Sequence, residues 1–171
     1  MKTVQFILFT ALTCLLCASS CKENEVKVWT ELPPKTQTGA NTMGCLVDGK
    51  LWATGKLPGS FKFPAMSARY LDYGEYVHLN FHAQGNVGRI AFVVKNPYIG
   101  QNEAKVSCSF DIYSECYVMT DSTKNLIITK MDLEKGILSG NFTFDIPCKK
   151  DADKILHITE GRFDLRMSVY K

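Results

Sequence analysis

The 171-residue sequence predicts an all-β fold, a single antiparallel β-sandwich or flattened barrel of about eight to ten strands behind an export leader and a tether. Three observations carry that expectation. Apolar residues recur with period two through most of the chain beyond residue 41. Short apolar runs are separated by turn-forming residues at close intervals. No window joins a helix start, a 3.6-residue apolar stripe and a stop. Residues 60–68, where the alternation lapses, are the one stretch assigned to a minor helix.

The strands follow in order. In "MGCLVDGKLWATG" (43–55), Asp48-Gly49 stands between two apolar runs, a hairpin signal because a type I′ turn needs positive φ at both central residues. "YVHLNFHA" (76–83) alternates Val77, Leu79, Phe81 and Ala83 against His78, Asn80 and His82, so one face is buried and the other solvated. "RIAFVVK" (89–95) is a nearly continuous apolar run that stops at Asn96-Pro97. Strands are then expected at 104–113, 116–120 and 125–132, with a turn at Asp121-Ser122-Thr123-Lys124, and another turn at Glu134-Lys135-Gly136. In "ILSGNFTFDIP" (137–147) Leu138, Gly140, Phe142, Phe144 and Ile146 share a face. "KILHITE" (154–160) and "GRFDLRMSVYK" (161–171) complete the set, the latter with Phe163, Leu165, Met167 and Val169 inward.

Before the strands, the chain reads as an export signal. Met1-Lys2-Thr3 is a short positive start and Val4–Leu16 is mostly apolar, too short for a membrane span, which needs about 20 residues. Ala18 and Ser20 are small enough to place a cut between Ser20 and Cys21. "ASSC" is similar to the lipobox of bacterial lipoproteins, which predicts acylation of the Cys21 thiol with groups such as palmitate, and the "KENE" that follows resembles an outer-membrane sorting signal of Bacteroidetes lipoproteins. The expected organisation is a leader at 1–20, removed, a flexible polar tether at 21–41 containing Pro33-Pro34, and a β domain at 42–171. Trp29 is the apolar exception in the tether, read either as docking on the domain or as lying at the headgroup level.

The formal charge is +3, one unit of which is Lys2 in the leader, and no basic stripe with interleaved aromatics appears, so nucleic acid is excluded as a partner. Cys14 and Cys17 leave with the leader. Cys45, Cys108, Cys116 and Cys148 remain, open to two disulfides in three connectivities or to buried free thiols; Cys45 with Cys148 is the preferred pair. No C-x-x-C pair supports zinc, and no cofactor is implied.

Few residues suggest chemistry. His78 and His82, four apart on a strand, start about 13 Å from each other, too far to share a metal ion. Asp164 with Glu160 is the closest suggestive carboxylate set, for which turn hydrogen bonding is the simpler reading. The serines lack the G-x-S-x-G elbow and no glycine-rich phosphate loop is present. Tyr70, Tyr73 and Tyr76 in "YLDYGEY", with Phe61, Phe63 and Tyr98 beyond the clearest strands, are the candidate stacking platform for a sugar or peptide. Ser122 lies in a three-residue match to an O-glycosylation motif of Bacteroidetes exported proteins, and Asn141-Phe142-Thr143 fits only the eukaryotic N-glycan rule.

"TQTGANTMGCLVDGKLW" (36–52) and "ITEGRFDLR" (158–166) resemble the two ends of a family of Bacteroidetes lipoproteins whose biochemical activity is uncharacterised. The resemblance implies an exported, lipid-anchored, all-β protein and brings no catalytic or binding residue with it. The expectation is therefore a non-catalytic binding or interaction module, held to the membrane through Cys21 at the bacterial outer membrane, on the cell surface or the periplasmic face. Its partner is a glycan, a peptide or another envelope protein. The alternatives are a glycan-directed envelope hydrolase whose carboxylates converge only in the fold, and a passive structural component.

Overall fold

The structure, a computed structural model, describes residues 29–54, 66–85, 88–109, 118–148 and 151–171, with only the backbone described for 118–124, 148, 151, 152 and 154. The leader, Cys21, "KENE", Phe61, Phe63 and Cys116 lie outside the described residues. Every regular element among those described is a strand: β1 (Thr42–Val47), β2 (Lys50–Ala53), β3 (Met66–Asp72), β4 (Val77–Gly85), β5 (Gly88–Lys95), β6 (Gly100–Ser109), β7 (Val118–Asp132), β8 (Ile137–Cys148), β9 (Asp151–Arg166) and β10 (Ser168–Tyr170). They form one 10-stranded sheet in the order β10-β3-β4-β5-β6-β7-β8-β9-β1-β2.

That sheet curls until its ends meet. β9 pairs with β8 on one side and β1 on the other, but β1 begins at Thr42, opposite Asp164. Beyond Met167 the same chain continues as β10, and there β3 takes the vacated side, running parallel with Ser168 opposite Arg69 and Tyr170 opposite Leu71. At the other end of the order, Thr54 just past β2 bridges Gly85 at the end of β4. These contacts cover part of the edges that a flat sheet would present for pairing with other chains.

Three expected breaks are in fact continuous strand. Residues 66–68, within the span assigned to a minor helix, belong to β3, where Ala68 is buried between exposed or half-buried neighbours. The expected turn at 121–124 lies inside β7: the register moves from Asn102↔Leu126 to Ala104↔Thr123 to Val106↔Thr120, so the turn-forming residues, Ser122 among them, supply the extra residues of two bulges. "KILHITE" and "GRFDLRMSVYK" join as β9 through another bulge, where Glu160 has a φ of 52° and two residues oppose Thr143. Polar, bend-tolerant residues read as turns in one dimension; in a closed barrel they let a long strand bend without breaking. The Asp48-Gly49 hairpin has the expected form, with φ of 47° and 77°.

The barrel interior is filled by its own side chains. Phe81 and Phe92 stack at 4.8 Å between centroids, Phe81 meets Phe163 at 4.8 Å, Phe92 meets Phe142 at 5.1 Å, and Phe144 lies 5.8 Å from both Phe92 and Phe142. Trp52, Met43, Leu79, Ile90, Leu126, Ile128 and Leu138 are fully buried around them. Room for these rings comes from glycine. A Cβ on Gly140 would lie 2.5 Å from Phe163 Cζ, one on Gly161 2.4 Å from Phe142 Cδ2, and one on Gly85 2.2 Å from the Trp52 indole.

The Cys45–Cys148 pairing is not formed. Cys45 is a free thiol, as is Cys108, and both face the core. Cys45 sits level with residues 159–162 of β9, whereas Cys148 is opposite Asp151. Nine strand residues separate those levels, roughly 30 Å at strand rise, against the roughly 4.4–6.8 Å between Cα atoms that a disulfide requires. Burial pushes both thiols up from their ordinary range, and for Cys45 the nearby Cys108 adds to it.

The described end of the expected tether, residues 29–41, is laid against the outer wall rather than left free. Pro33 is buried over Gly44, where a Cβ would come within 2.6 Å of its ring. Farther on, the Asp164 carboxylate accepts hydrogen bonds from Thr36 Oγ1 (2.6 Å), Thr38 N (3.0 Å), Thr38 Oγ1 (3.3 Å), Gly39 N (2.8 Å), Ala40 N (3.1 Å) and Ser139 Oγ (2.8 Å). Lys130 Nζ donates to Gln37 O at 3.0 Å, and Arg166 N donates to Asn41 Oδ1 at 2.8 Å. Three consecutive amides can aim at one carboxylate because Gly39, at a φ of 72°, turns the chain through the left-handed region.

Asp164 is 1% exposed. Burial alone would raise its pKa, but the bonds from Thr36, Ala40, Thr38 and Ser139 outweigh it and hold the carboxyl far below the usual range. The unfolded chain has the ordinary carboxyl pKa of about 3.9, so this stabilisation is complete above that value and is lost as pH falls from about 4 through the depressed folded-state pKa. Asp164→Asn, which removes the charge and turns donors toward the amides of this wall-bound segment (residues 33–41, the strap), is expected to cost about 3–5 kcal/mol in urea unfolding at pH 7. The variant should also lose less stability between pH 5 and pH 2 than the parent; equal stability at pH 7 would contradict the clamp.

Candidate functional site

At one end of the barrel the β3–β4 and β5–β6 hairpins lie side by side and are tied to each other. Asn96 N donates to Val77 O at 2.7 Å, and Val77 N donates to Asn96 Oδ1 at 2.9 Å. Inside the first turn, Gly74 N donates to Asp72 Oδ1 at 2.9 Å and Tyr73 N to Tyr76 O at 3.0 Å. The buried Asn102 staples the second, its Nδ2 donating to Tyr98 O and Gly100 O, both at 2.8 Å, while its Oδ1 accepts from Tyr98 N at 3.1 Å. These bonds fix the conformation of both turns.

On this base sits a cluster of rings. Tyr73 and Tyr76 are 5.2 Å apart between centroids, Tyr76 and His78 5.0 Å, and Tyr73 meets His78 edge-on at 5.9 Å. Lys95 Nζ stands 5.3 Å from the Tyr76 centroid. Tyr73 is 55% exposed and Tyr76 37%. The strand register extends the patch: Tyr170, Leu71, His78 and Lys95 stand opposite one another across β10, β3, β4 and β5 on the outer wall. Tyr170, Tyr98 and Ile99 are also exposed at this end.

Of the expected platform, Tyr73 and Tyr76 come together and Tyr70 does not. Tyr70 stands opposite the buried Leu79 and packs against the core, because period two turns it inward where Arg69 and Leu71 face out. His78, Lys95 and Tyr170 take its place. The outward face of His78 was legible from its alternation; its closeness to Lys95 depends on the β4–β5 register, which no local pattern supplies.

A second feature runs beside the strap. Clefts of about 160 Å³ and 280 Å³ adjoin there and share Lys35 and Asn141. Their floor includes the outward row Gln101, Ile127, Asn141 and Arg162, one residue from each of β6 to β9. Arg162 is already engaged, with Pro33 O at 3.3 Å and Glu160 Oε2 at 3.3 Å. These shallow surfaces offer hydrogen-bonding side chains such as Gln101, Asn125 and Asn141.

The carboxylates and histidines divide into separate places. Asp164 accepts hydrogen bonds from residues 36–40 and Ser139, and Glu160 pairs with Arg162 at 3.3 Å. His157 Nδ1 lies 2.8 Å from Asp145 Oδ1 in the open, far along β9 from the ring cluster. His78 joins the tyrosines and His82 lies elsewhere on β4. Among the described residues no three His, Cys, Asp or Glu side chains converge as a metal site.

No family model, no curated protein and no solved structure matches the chain.

The packing separates the three tyrosines by a measurable cost. Tyr70→Ala is expected to lower urea-unfolding stability by about 2–4 kcal/mol, since it opens a hole against the core. Tyr73→Ala and Tyr76→Ala should each change it by about 0.5 kcal/mol or less. Equal losses at all three positions would contradict the division between core and platform.

Proposed function

We propose that this protein is a lipid-anchored component of a bacterial envelope whose barrel serves as a non-catalytic binding module, with Tyr73, Tyr76 and His78 as the centre of its contact surface. The ring cluster carries this reading. Two exposed tyrosines and a histidine gathered on hydrogen-bonded turns offer a large apolar area with little side-chain entropy left to lose, the property that makes aromatic residues effective anchors for sugars and peptides. Most other large aromatics with described side chains are spent in the core.

The anchor rests on the sequence: an export leader, small residues before Cys21 and the resemblance to Bacteroidetes lipoproteins at both ends of the domain. Acylation of Cys21 joins the lipid to a wall-bound strap. Eight peptide steps separate Cys21 from Trp29, a reach of at most roughly 29 Å, so the barrel stays close to the surface that holds it.

The test uses full-length protein purified in detergent from its native membrane. Its intact mass should correspond to a chain starting at Cys21 with acyl groups added. On arrays of envelope-derived glycans and peptides, the Tyr73→Ala/Tyr76→Ala double variant should bind at least tenfold more weakly than the parent while unfolding at the same urea concentration. An unmodified Cys21 would remove the anchor, and undiminished binding by the double variant would remove the contact surface.

A further inference from the structure

On the same wall as the rings, farther along β4, three nitrogen-bearing side chains lie on one diagonal. His82 stands opposite Ser67 of β3 and Ala91 of β5, while Arg69 stands opposite Asn80 and Arg89 opposite Gln84. Each arginine is therefore a diagonal neighbour of His82, about 7–8 Å away at the backbone and within reach of a long side chain. The positions level with His82 are small: Ser67, Ala91 and, one strand on, Ser107. These small residues leave room beside His82, with Arg69 and Arg89 on opposite diagonals of it.

Nothing described neutralises this charge. Both arginines are exposed, and neither has an ion pair or hydrogen bond among the described residues. The outward positions of β3, β4 and β5 hold Arg69, Arg89, Lys95, His78 and His82 without one carboxylate; outward on β6 come Glu103 and Lys105. The two cations already act on the imidazole: burial first, then Arg89 and Arg69, lower the His82 pKa. Unpaired like charges held together are unfavourable by themselves, and a tetrahedral oxyanion relieves them by accepting from two guanidinium forks and an imidazole N–H.

We infer that Arg69, His82 and Arg89 form a binding site for a phosphate or sulfate ester group carried on a saccharide. The oxyanion part stands on the cation geometry alone. The saccharide part rests on the function proposed above, because His82 lies four residues from His78 on the same face, about 13 Å along the strand, so one extended ligand reaches both His82 and the tyrosines. A bound anion offsets the two guanidinium charges and raises the His82 pKa, so binding takes up a proton and tightens as pH falls. The groups facing His82 from the flanking strands are Arg69 and Ser67 on β3 and Arg89 and Ala91 on β5.

The experiment follows the His82 imidazole by NMR in the full chain, with inorganic phosphate as the first probe. Phosphate should raise the His82 pKa, and the shift should vanish in Arg69→Gln/Arg89→Gln. Absence of the shift in the parent, or its persistence in the double variant, overturns the site. A sulfated oligosaccharide should then bind at least tenfold more tightly at pH 6 than at pH 8 and more weakly in high salt, and its desulfated analogue should lose most of that affinity. Tyr73→Ala/Tyr76→Ala should weaken the oligosaccharide while leaving the phosphate response intact, so failure of the ring platform and failure of the anion site read out separately. Binding to vesicles of anionic lipid with none to the oligosaccharide overturns the saccharide assignment.

Discussion

Six hydrogen bonds converge on the buried Asp164 carboxylate, and five of them join residues 36–40, near the start of the described residues, to β9 near their end. A charged group buried at that depth is strongly destabilising unless every lone pair is answered, and here the strap supplies most of the answers. The dependence is mutual. Without the strap, Asp164 and Ser139 are an open polar spot on β8 and β9; without the carboxylate, the amides of Thr38, Gly39 and Ala40 have no acceptor. The segments "TQTGA" (36–40) and "GRFDLR" (161–166) meet at this point, the first giving most of the donors and the second the acceptor.

The filled interior leaves the proposed contact surfaces on the outside of the barrel. The chain passes from β9, paired with β1, to β10, paired with β3, beyond the point where β1 starts at Thr42, and the strap that leads into Thr42 is the segment held by Asp164. The enclosed volume is given to Phe81, Phe92, Phe142, Phe144 and Phe163, with Gly140 and Gly161 allowing the rings to lie against the sheet. The proposed contact surfaces then lie on the wall and at the turn end. There the β3 to β5 surface carries rings at one level and unpaired cations at the next, while the strap occupies the wall of β8 and β9.

The fold class was legible because period two survives over most of the barrel: a strand with one wet and one dry face writes that alternation directly into its residues. Strand ends were less legible. Asp121-Ser122-Thr123-Lys124 and Glu160-Gly161 have turn composition, and bulges recruit the same bend-tolerant residues, so local chemistry does not distinguish them. The role of Asp164 was hidden for a different reason. It alternates outward on its strand like any solvated aspartate, and only a segment some 125 residues away in sequence buries it. The candidate site was half visible: Tyr73 and Tyr76 stood out by composition, whereas Lys95, Tyr170 and the Arg69–His82–Arg89 diagonal required the register of three or four strands. The Cys45–Cys148 pairing failed on the same missing information, since distance along a strand is set by register and not by the count of cysteines.

Native-state hydrogen exchange at the amides of Thr38, Gly39 and Ala40 tests the central dependence most directly. If the carboxylate clamp is an integral part of the barrel, these amides exchange only with global unfolding, at the rate of the slowest amides of β8 and β9. Exchange at the rate of an unstructured peptide, with the barrel amides still protected, would show that the strap opens independently and that Asp164 does not hold the two ends together.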